Sequence, residues 1–262
     1  MVIEQLAKAG FSAVSPLWSP DLDLKALTTW VKKYSMTIQS LHAPHRGIPL
    51  LWQPDDPQSR ETQNNILACV RACGEFQIPI MVIHGWQVLG YTFPSEPLDF
   101  RFFDRMVDFA REQKVMIAFE NLEGEEYLQA LLERYKDQSH IGFCWDSGHD
   151  LCYPHTIDFL ERFGHRLIMT HLNDNLGVRD PGGIPSGLDD LHFLPYDGKT
   201  DWNAAVERLK KAAKQEMLNF EIKIRSKSTD PNDLIYVGLP PEQFFQLAGN
   251  RASQIAQLYE KA

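Results

Sequence analysis

Short apolar runs alternate along the chain with longer segments of helical period, and this alternation restricts the fold more than any other feature. The runs are rich in Val, Ile and Phe and have the length of strands. The segments between them carry apolar residues at the spacing of one helix face. Strands that alternate with helices are typical of repeated βα units with parallel strands. We therefore predict an α/β fold built on a parallel sheet.

The predicted elements extend over nearly the whole sequence. The predicted strands are 11–18, 36–43, 78–85, 115–122, 140–147, 166–173 and 217–224. The predicted helices are 2–9, 22–34, 61–76, 98–113, 125–137, 156–163, 202–215 and 241–260. The length of 262 residues is usual for one (β/α)8 TIM barrel. No linker or internal repeat divides the sequence, so we predict a single barrel domain over residues 1–262.

The start of the chain departs from a complete barrel. Helix 2–9 leads into the first visible strand, so the strand that ought to precede this helix is not visible in the sequence. Either the start is truncated or the barrel is open there. The long irregular segment 174–200 is the second departure, and loops of that length in compact domains are usually functional.

Charge and composition argue against several classes of protein. The formal net charge is −9 at pH 7, whereas proteins that hold a nucleic-acid backbone usually carry a basic surface. We therefore expect no nucleic-acid partner. No apolar stretch reaches the roughly 18 residues of a membrane span, and the N-terminus lacks a signal peptide, so we expect no membrane partner and a cytoplasmic location. The cysteines have no disulfide or zinc-ribbon spacing and are predicted to be free thiols.

Ionisable side chains stand at the end of nearly every predicted strand. They are His42, His84, Glu120, Asp146, His149, His171 and Glu221. The carboxyl ends of barrel strands meet on the face that carries the active site, so we expect these side chains to share one pocket. Carboxylates at such positions need a partner that offsets the loss of water, and a divalent cation supplies it. Carboxylate and imidazole ligands suit Mn, Mg, Co, Fe or Zn.

The order and spacing of these residues resemble a known superfamily. The motifs are SLHAP, VIHGW, AFEN, CWDSGH, THLND, DDLHFLPYDGKTDW and FEIK. Together they resemble the xylose-isomerase-like TIM-barrel superfamily, which holds sugar isomerases and epimerases as well as endonuclease IV. The resemblance to the epimerase branch implies that Glu120, Asp146, His171 and Glu221 bind one divalent metal ion. It also implies that Glu120 and Glu221 exchange the substrate proton.

The resemblance implies a metal-dependent isomerase or epimerase of a small sugar, sugar phosphate or related polyol. In such an enzyme the metal stabilises an enediolate while two carboxylates remove and return a proton. The side chains expected to bind substrate are His42, His84, His149 and His192. Lys223 lies two residues after Glu221 on the same side of the predicted strand, where it contacts a substrate oxygen or pairs with a carboxylate.

Two alternatives stay open. Endonuclease IV hydrolyses abasic DNA at a trinuclear zinc site, and its kinds of ligand are matched here by His42, His84, Glu120, Asp146, His149, His171, Asp190, His192 and Glu221. The acidic balance, the lack of a recognisable DNA-wedging loop and the FEIK ending argue against this alternative. The second alternative is a barrel that binds a sugar without turnover. The sequence leaves open the substrate, the metal and the oligomeric state, including a homo-oligomer.

Overall fold

The computed structural model describes residues 2–153, 155–225 and 227–261. The chain divides into two compact units. The first unit is Ser12–Phe143, and the second unit is Met1–Phe11 together with Cys144–Ala262. The boundary between the units falls within one strand, so each unit contains part of it.

Helices and strands alternate through the described residues. The helices are α1 (Val2–Lys8), α2 (Leu24–Lys33), α3 (Ser59–Glu75), α4 (Arg101–Glu112), α5 (Glu125–Arg134), α6 (Ser147–Cys152), α7 (Phe159–Phe163), α8 (Trp202–Lys210) and α9 (Pro241–Glu260). The strands are β1 (Ala13–Val14), β2 (Thr37–Ile38), β3 (Ser40–His42), β4 (Ile80–His84), β5 (Met116–Glu120), β6 (Ile141–Asp146) and β7 (Leu167–His171). Short 3-10 helices lie at Ile48–Trp52, Gly164–Arg166 and Pro231–Asp233.

The strands pair in the order of the chain. In the first unit β1 pairs with β2, and β3, β4 and β5 lie side by side in a second, parallel sheet. β6 follows β5 in that sheet, and in the second unit β7 lies beside β6. Consecutive strands joined by helices form the repeated βα arrangement that the alternation predicts.

Local sequence explains where these elements form. Every residue of β4 is buried, as expected for a strand that is covered on both faces of a parallel sheet. The buried residues of α4 recur at helical spacing, so that one face of this helix enters the core. Four of the described α-helices begin after an aspartate whose side chain accepts a hydrogen bond from a backbone N–H of the first turn: Asp23, Asp146, Asp158 and Asp201.

The predicted strand 36–43 is two strands, because the chain changes partner within it. Gln39 N–H still donates to the carbonyl oxygen of Val14 at 2.9 Å, whereas β3 pairs with β4. The helix α6 was not predicted, since it follows β6 without a loop. Asp146 ends the strand and also caps the helix by accepting from His149 N–H at 2.7 Å.

The prediction of a regular strand over 217–224 is wrong. The backbone of this segment bonds to Leu172, the residue just after β7, whose N–H donates to Asn219 O at 2.9 Å and whose O accepts from Glu221 N–H at 3.2 Å. Lys223 N–H then donates to a loop carbonyl, that of His192, at 3.0 Å. Ile222 and Ile224 pack against a buried apolar cluster that contains Phe193, Tyr236 and Phe244, so side chains still alternate here.

Two further expectations concern the whole chain. The cysteines Cys69, Cys73, Cys144 and Cys152 are free thiols, as predicted, and all are buried. None of the helices in the described part of the chain has the length and apolar character that crossing a bilayer requires.

Candidate functional site

Three predicted site residues lie together in the first unit, at the ends of adjacent strands. His42 ends β3, His84 ends β4 and Glu120 ends β5, and the register pairs His84 with Glu120. The Nε2 atoms of His42 and His84 lie 3.1 and 3.2 Å from Oε2 of Glu120. The two rings meet edge to face, with their centroids 4.9 Å apart. The side chain of Glu120 is completely buried.

The contacts of His42 show what this arrangement requires. Nδ1 of His42 lies 2.7 Å from the carbonyl oxygen of Ala43, which only accepts, so Nδ1 carries the hydrogen. In the neutral ring Nε2 then presents a lone pair to the Glu120 carboxylate. A proton or a cation between these atoms is needed to make the contact favourable. The three residues thus provide ligand atoms for a cation, all within 4.8 Å of one another.

Aromatic side chains follow β4 and β5 in the same unit. Trp86 stacks on Tyr127, with centroids 4.2 Å apart and planes inclined by 2°. Gly124 permits this contact, because a Cβ atom at that position would lie 2.4 Å from Cβ of Trp86 and its φ of +82° favours glycine. Trp52 donates from Nε1 to the carbonyl oxygen of Gly85 at 2.9 Å and so fixes the backbone just after His84.

Three other predicted residues lie together in the second unit. Asp146 ends β6, His171 ends β7, and the pairing around Leu172 brings Glu221 beside them. Nδ1 of His171 lies 3.1 Å from Oε2 of Glu221. Each of the three offers one ligand atom, and these atoms lie within 4.8 Å of one another. Two carboxylates and an imidazole form a donor set suited to a divalent metal.

A second cluster in this unit contains His149, Asp190 and His192. Nε2 of His192 lies 2.8 Å from Oδ2 of Asp190, and Nε2 of His149 lies 3.7 Å from Oδ1. Burial opposes the ionisation of Asp190, but His192 and His149 outweigh it and hold its pKa well below the usual value. Burial likewise favours neutral His192, yet Asp190 and Glu221 raise the pKa of this imidazole.

Lys223 has two predicted roles, a contact with a substrate oxygen and an ion pair with a carboxylate. Within the residues that the structure describes, its ammonium group forms no ion pair with a carboxylate. The two interpretations of Lys223, a contact with substrate and a pair with a carboxylate, both stay open. A contact of Lys223 with substrate stays a prediction.

Sequence reasoning missed three buried residues that organise the site: Asn173, Asp174 and Asn175. Asn173 Nδ2 donates to Oδ2 of Asp146 at 2.8 Å. Asn175 Oδ1 accepts from the backbone N–H groups of Leu191 and His192. The segment HLNDN follows a strand, and Asn and Asp at such a place are common turn formers, so the signal points to a turn alone.

Comparison with known proteins identifies the family of this chain. Residues 3–240 match the family described as xylose isomerase-like TIM barrel. The chain belongs to this family. The predicted (β/α)8 TIM-barrel fold class and the predicted superfamily are therefore confirmed. The uncharacterized protein y4fM of Sinorhizobium fredii (strain NBRC 101917 / NGR234) is 39% identical, over 84% of this chain and 79% of that protein.

Solved structures share the fold at low sequence identity. The structure of the IolI protein with a binding zinc atom has a TM-score of 0.76 and 17% identity, covering 100% of this chain and 94% of that one. D-psicose 3-epimerase with D-tagatose, from Clostridium cellulolyticum H10, has a TM-score of 0.67 and 14% identity, covering 99% and 93%. A D-tagatose 3-epimerase-like protein has a TM-score of 0.68 and 18% identity, covering 98% and 92%.

Proposed function

We propose that this protein is a divalent-metal-dependent isomerase or epimerase of a small sugar, sugar phosphate or related polyol. The observation that carries the proposal is the cluster of Asp146, His171 and Glu221, whose ligand atoms lie within 4.8 Å of one another. Membership of the xylose isomerase-like family and the likeness in fold to a D-psicose 3-epimerase support it.

The proposed metal ligands are Glu120, Asp146, His171 and Glu221. Two ligand atoms that are each about 2.0–2.2 Å from one metal lie about 3.0–3.5 Å apart in common geometries. The 3.1 Å between His171 Nδ1 and Glu221 Oε2 fits this spacing. Zinc in the structure of the IolI protein further supports a metal in this fold, although the choice among Mn, Mg, Co, Fe and Zn stays open.

The chain's own groups account for the rest of the reaction. The metal ion would supply Lewis-acid stabilisation of the negative charge that develops beside the substrate carbonyl. Glu120 and Glu221 would act as the acid/base residues that remove and return the proton. The imidazoles of His42, His84, His149 and His192 would bind substrate hydroxyl groups, and Lys223 would contact a substrate oxygen.

Glu221→Gln tests this assignment. Glutamine has nearly the same shape but is not a base and is a weaker ligand, so we expect turnover to fall by at least about 100-fold with an unchanged circular dichroism spectrum. The wild-type protein, stripped with a chelator and refilled with Mn2+, is assayed by chromatography on ketoses, their phosphates and inososes. Glu216→Gln, at an exposed site outside the three clusters, is the matched control. Full activity of the Glu221 variant would remove it from the reaction.

A metal-dependent phosphodiesterase that acts on abasic DNA is the second candidate. The two additional clusters favour it, because His42, His84 and Glu120, and separately His149, Asp190 and His192, each offer three ligand atoms within 4.8 Å. The net charge of −9 opposes it, since a DNA backbone requires basic contacts. We expect no cleavage of abasic duplex DNA with zinc present.

Metal analysis of the purified protein separates the candidates. About one bound ion per chain supports the isomerase. About three zinc ions together with salt-sensitive DNA cleavage would support the nuclease instead. A chain that binds a ketose but binds no metal and does not turn the ketose over would be a binding protein.

A further inference from the structure

Two buried asparagines after β7 connect a proposed metal ligand with the turn that carries the second cluster. We propose that Asn173 and Asn175, here called the asparagine pair, are positioning residues for Asp146 and for the Asp190–His192 turn. Both side chains are completely buried. The inference rests on the proposed function for its catalytic consequence, while the positioning itself is measured independently below.

Asn173 fixes the orientation of Asp146. Its Nδ2 donates to Oδ2 of Asp146 at 2.8 Å, while Oδ1 of Asp146 accepts from His149 N–H at 2.7 Å. The backbone of Asn173 is held in turn by Ser147, whose Oγ donates to Asn173 O at 2.8 Å and accepts from Asn173 N–H at 3.0 Å. Each oxygen of Asp146 thus has a donor that fixes its direction. Groups that orient a ligating carboxylate in this way also tune the metal site.

Asn175 holds the turn at the other end. Its Oδ1 accepts from Leu191 N–H at 2.5 Å and from His192 N–H at 3.0 Å. His192 has a φ of +52°, a left-handed conformation that residues other than glycine rarely adopt. Such a conformation persists where surrounding contacts determine it, and these two hydrogen bonds supply such contacts. Asn175 therefore sets the direction in which the imidazole of His192 leaves the backbone.

The two amides form a chain whose polarity is fixed. Two N–H donors face Asn175 Oδ1, so its Nδ2 must point the other way, toward Oδ1 of Asn173 at 3.5 Å. A carboxylate faces the opposite side of Asn173, so that amide presents Nδ2 to Asp146 and Oδ1 to Asn175. Neither amide can be turned over without bringing donors against donors or acceptors against acceptors. The pair therefore links Asp146 to the turn in one defined arrangement.

Gly148 is the sequence feature that makes room for the asparagine pair. A Cβ atom at this position would lie 1.8 Å from Oδ1 of Asn173 and 2.5 Å from Nδ2 of Asn175. Real Cβ atoms do not approach that closely, so a side chain at 148 must displace the buried amides. The glycine of the CWDSGH motif is explained by this close approach.

Hydrogen exchange tests the positioning without reference to catalysis. Asn175→Ala removes the acceptor of two backbone donors, so the amide hydrogens of Leu191 and His192 should exchange at least about tenfold faster. Asn203→Ala, the same change at an exposed site on α8, should leave both rates unaltered. Wild-type rates at both amides in a folded Asn175→Ala protein would overturn the role of Asn175.

Metal titration and kinetics test the consequence at the site. Asn173→Ala should weaken Mn2+ binding by about 10- to 100-fold, as loss of a partner that orients a ligand does. Asn175→Ala should instead raise the KM about tenfold for whichever ketose, ketose phosphate or inosose the wild-type protein turns over, because it releases His192. It should change the Mn2+ Kd by less than about threefold. General destabilisation would not separate these effects, because it would lower the melting temperature and change the KM and the Mn2+ Kd together.

Gly148→Ala provides an independent variant. We expect it to weaken Mn2+ binding as Asn173→Ala does. The double variant of Gly148→Ala and Asn173→Ala should bind Mn2+ no more weakly than Gly148→Ala alone, because removal of the Asn173 amide relieves the closer of the two contacts. Gly187→Ala, where an added Cβ would meet nothing within 4 Å, is the control. Additive losses in the double variant would overturn the inference. Should wild-type protein bind no metal, the proposed function fails, and the exchange rates still decide the role of Asn175.

Discussion

Asp174 anchors the long loop after β7, and replacing it with asparagine tests how this loop is held. Its Oδ1 accepts hydrogen bonds from the backbone N–H groups of Asn175 and Thr200, both at 3.0 Å. Its Oδ2 accepts from Tyr196 N–H and from Trp202 Nε1, also at 3.0 Å. Asparagine keeps one oxygen and replaces the other by an amide nitrogen, which only donates. Whichever way the amide turns, two donors lose their acceptor.

The expected loss follows from the burial of those donors. A buried donor left without a partner costs about 1–3 kcal/mol, so two predict a fall of about 2–6 kcal/mol in the free energy of unfolding. Tyr196 is 39% exposed, so a small movement of the loop lets water reach its N–H, whereas Trp202 is buried. The lower part of the range, about 2–4 kcal/mol, is therefore expected. Such a loss is a large share of the roughly 5–15 kcal/mol that stabilises a typical domain.

Urea unfolding followed by far-ultraviolet circular dichroism measures this loss as a shift of the midpoint. Asp201→Asn is the matched control, because Asp201 caps α8 by accepting from two backbone N–H groups and asparagine is an equally good cap. We expect the control to lie within about 0.5 kcal/mol of wild type. If Asp174→Asn did the same, the account of Asp174 as a four-donor anchor would be wrong.

Two further variants test contacts away from the candidate site. The Arg134 guanidinium, 2.6 Å from Asp104, holds the pKa of that carboxyl below its usual 3.8, so the stability it adds is present above that pH and is lost as the pH falls through the folded value. Asp104→Asn should remove this dependence of the free energy of unfolding on acidic pH, which is worth about 0.2–1 kcal/mol for so exposed a pair. Urea titrations at acidic pH measure it, and an unchanged pH dependence would contradict this account. Tyr236→Phe should lower the free energy of unfolding by about 1–3 kcal/mol, because Leu194 N–H loses its acceptor at 2.8 Å; an unshifted melting curve would refute this.

Elements that are buried on both faces were predictable from sequence alone. The runs at β4, β5, β6 and β7 are mainly apolar up to the ionisable residue that ends each strand, and the structure has a strand within each predicted range. The final segment over 217–224 alternates apolar residues with Asn219, Glu221 and Lys223, and it forms no regular strand, because Lys223 N–H bonds to the loop carbonyl of His192. Hydropathy describes the burial of side chains. It does not say where each backbone N–H finds its acceptor.

The candidate site, too, could be predicted only in part from the sequence. The position of His42, His84 and Glu120 at one edge of the first unit follows from adjacent parallel strands that end in ionisable residues. The asparagines after β7 could not be assigned, because their role depends on which way each amide points and on a turn whose Leu191 lies 16 residues away from Asn175. Contacts across a long irregular loop have no periodic signal in the sequence.

The two glutamates proposed as the acid/base pair lie in unlike surroundings, which predicts that their protons exchange with water at different rates. The side chain of Glu120 is 0% exposed, with imidazole nitrogens 3.1 and 3.2 Å away, whereas that of Glu221 is 31% exposed, with imidazole nitrogens 3.1 and 4.0 Å away. Water therefore has better access to a proton held by Glu221 than to one held by Glu120. When protein equilibrated in light water is mixed with substrate in heavy water, we expect a deuterated product from the first turnover in the direction in which Glu221 delivers the proton. In the opposite direction the product should carry more light hydrogen, because Glu120 delivers the proton that it already held and that exchanges more slowly with the solvent. Equal deuterium content in both directions, measured by mass spectrometry at low conversion, would show that the burial of Glu120 does not control proton exchange.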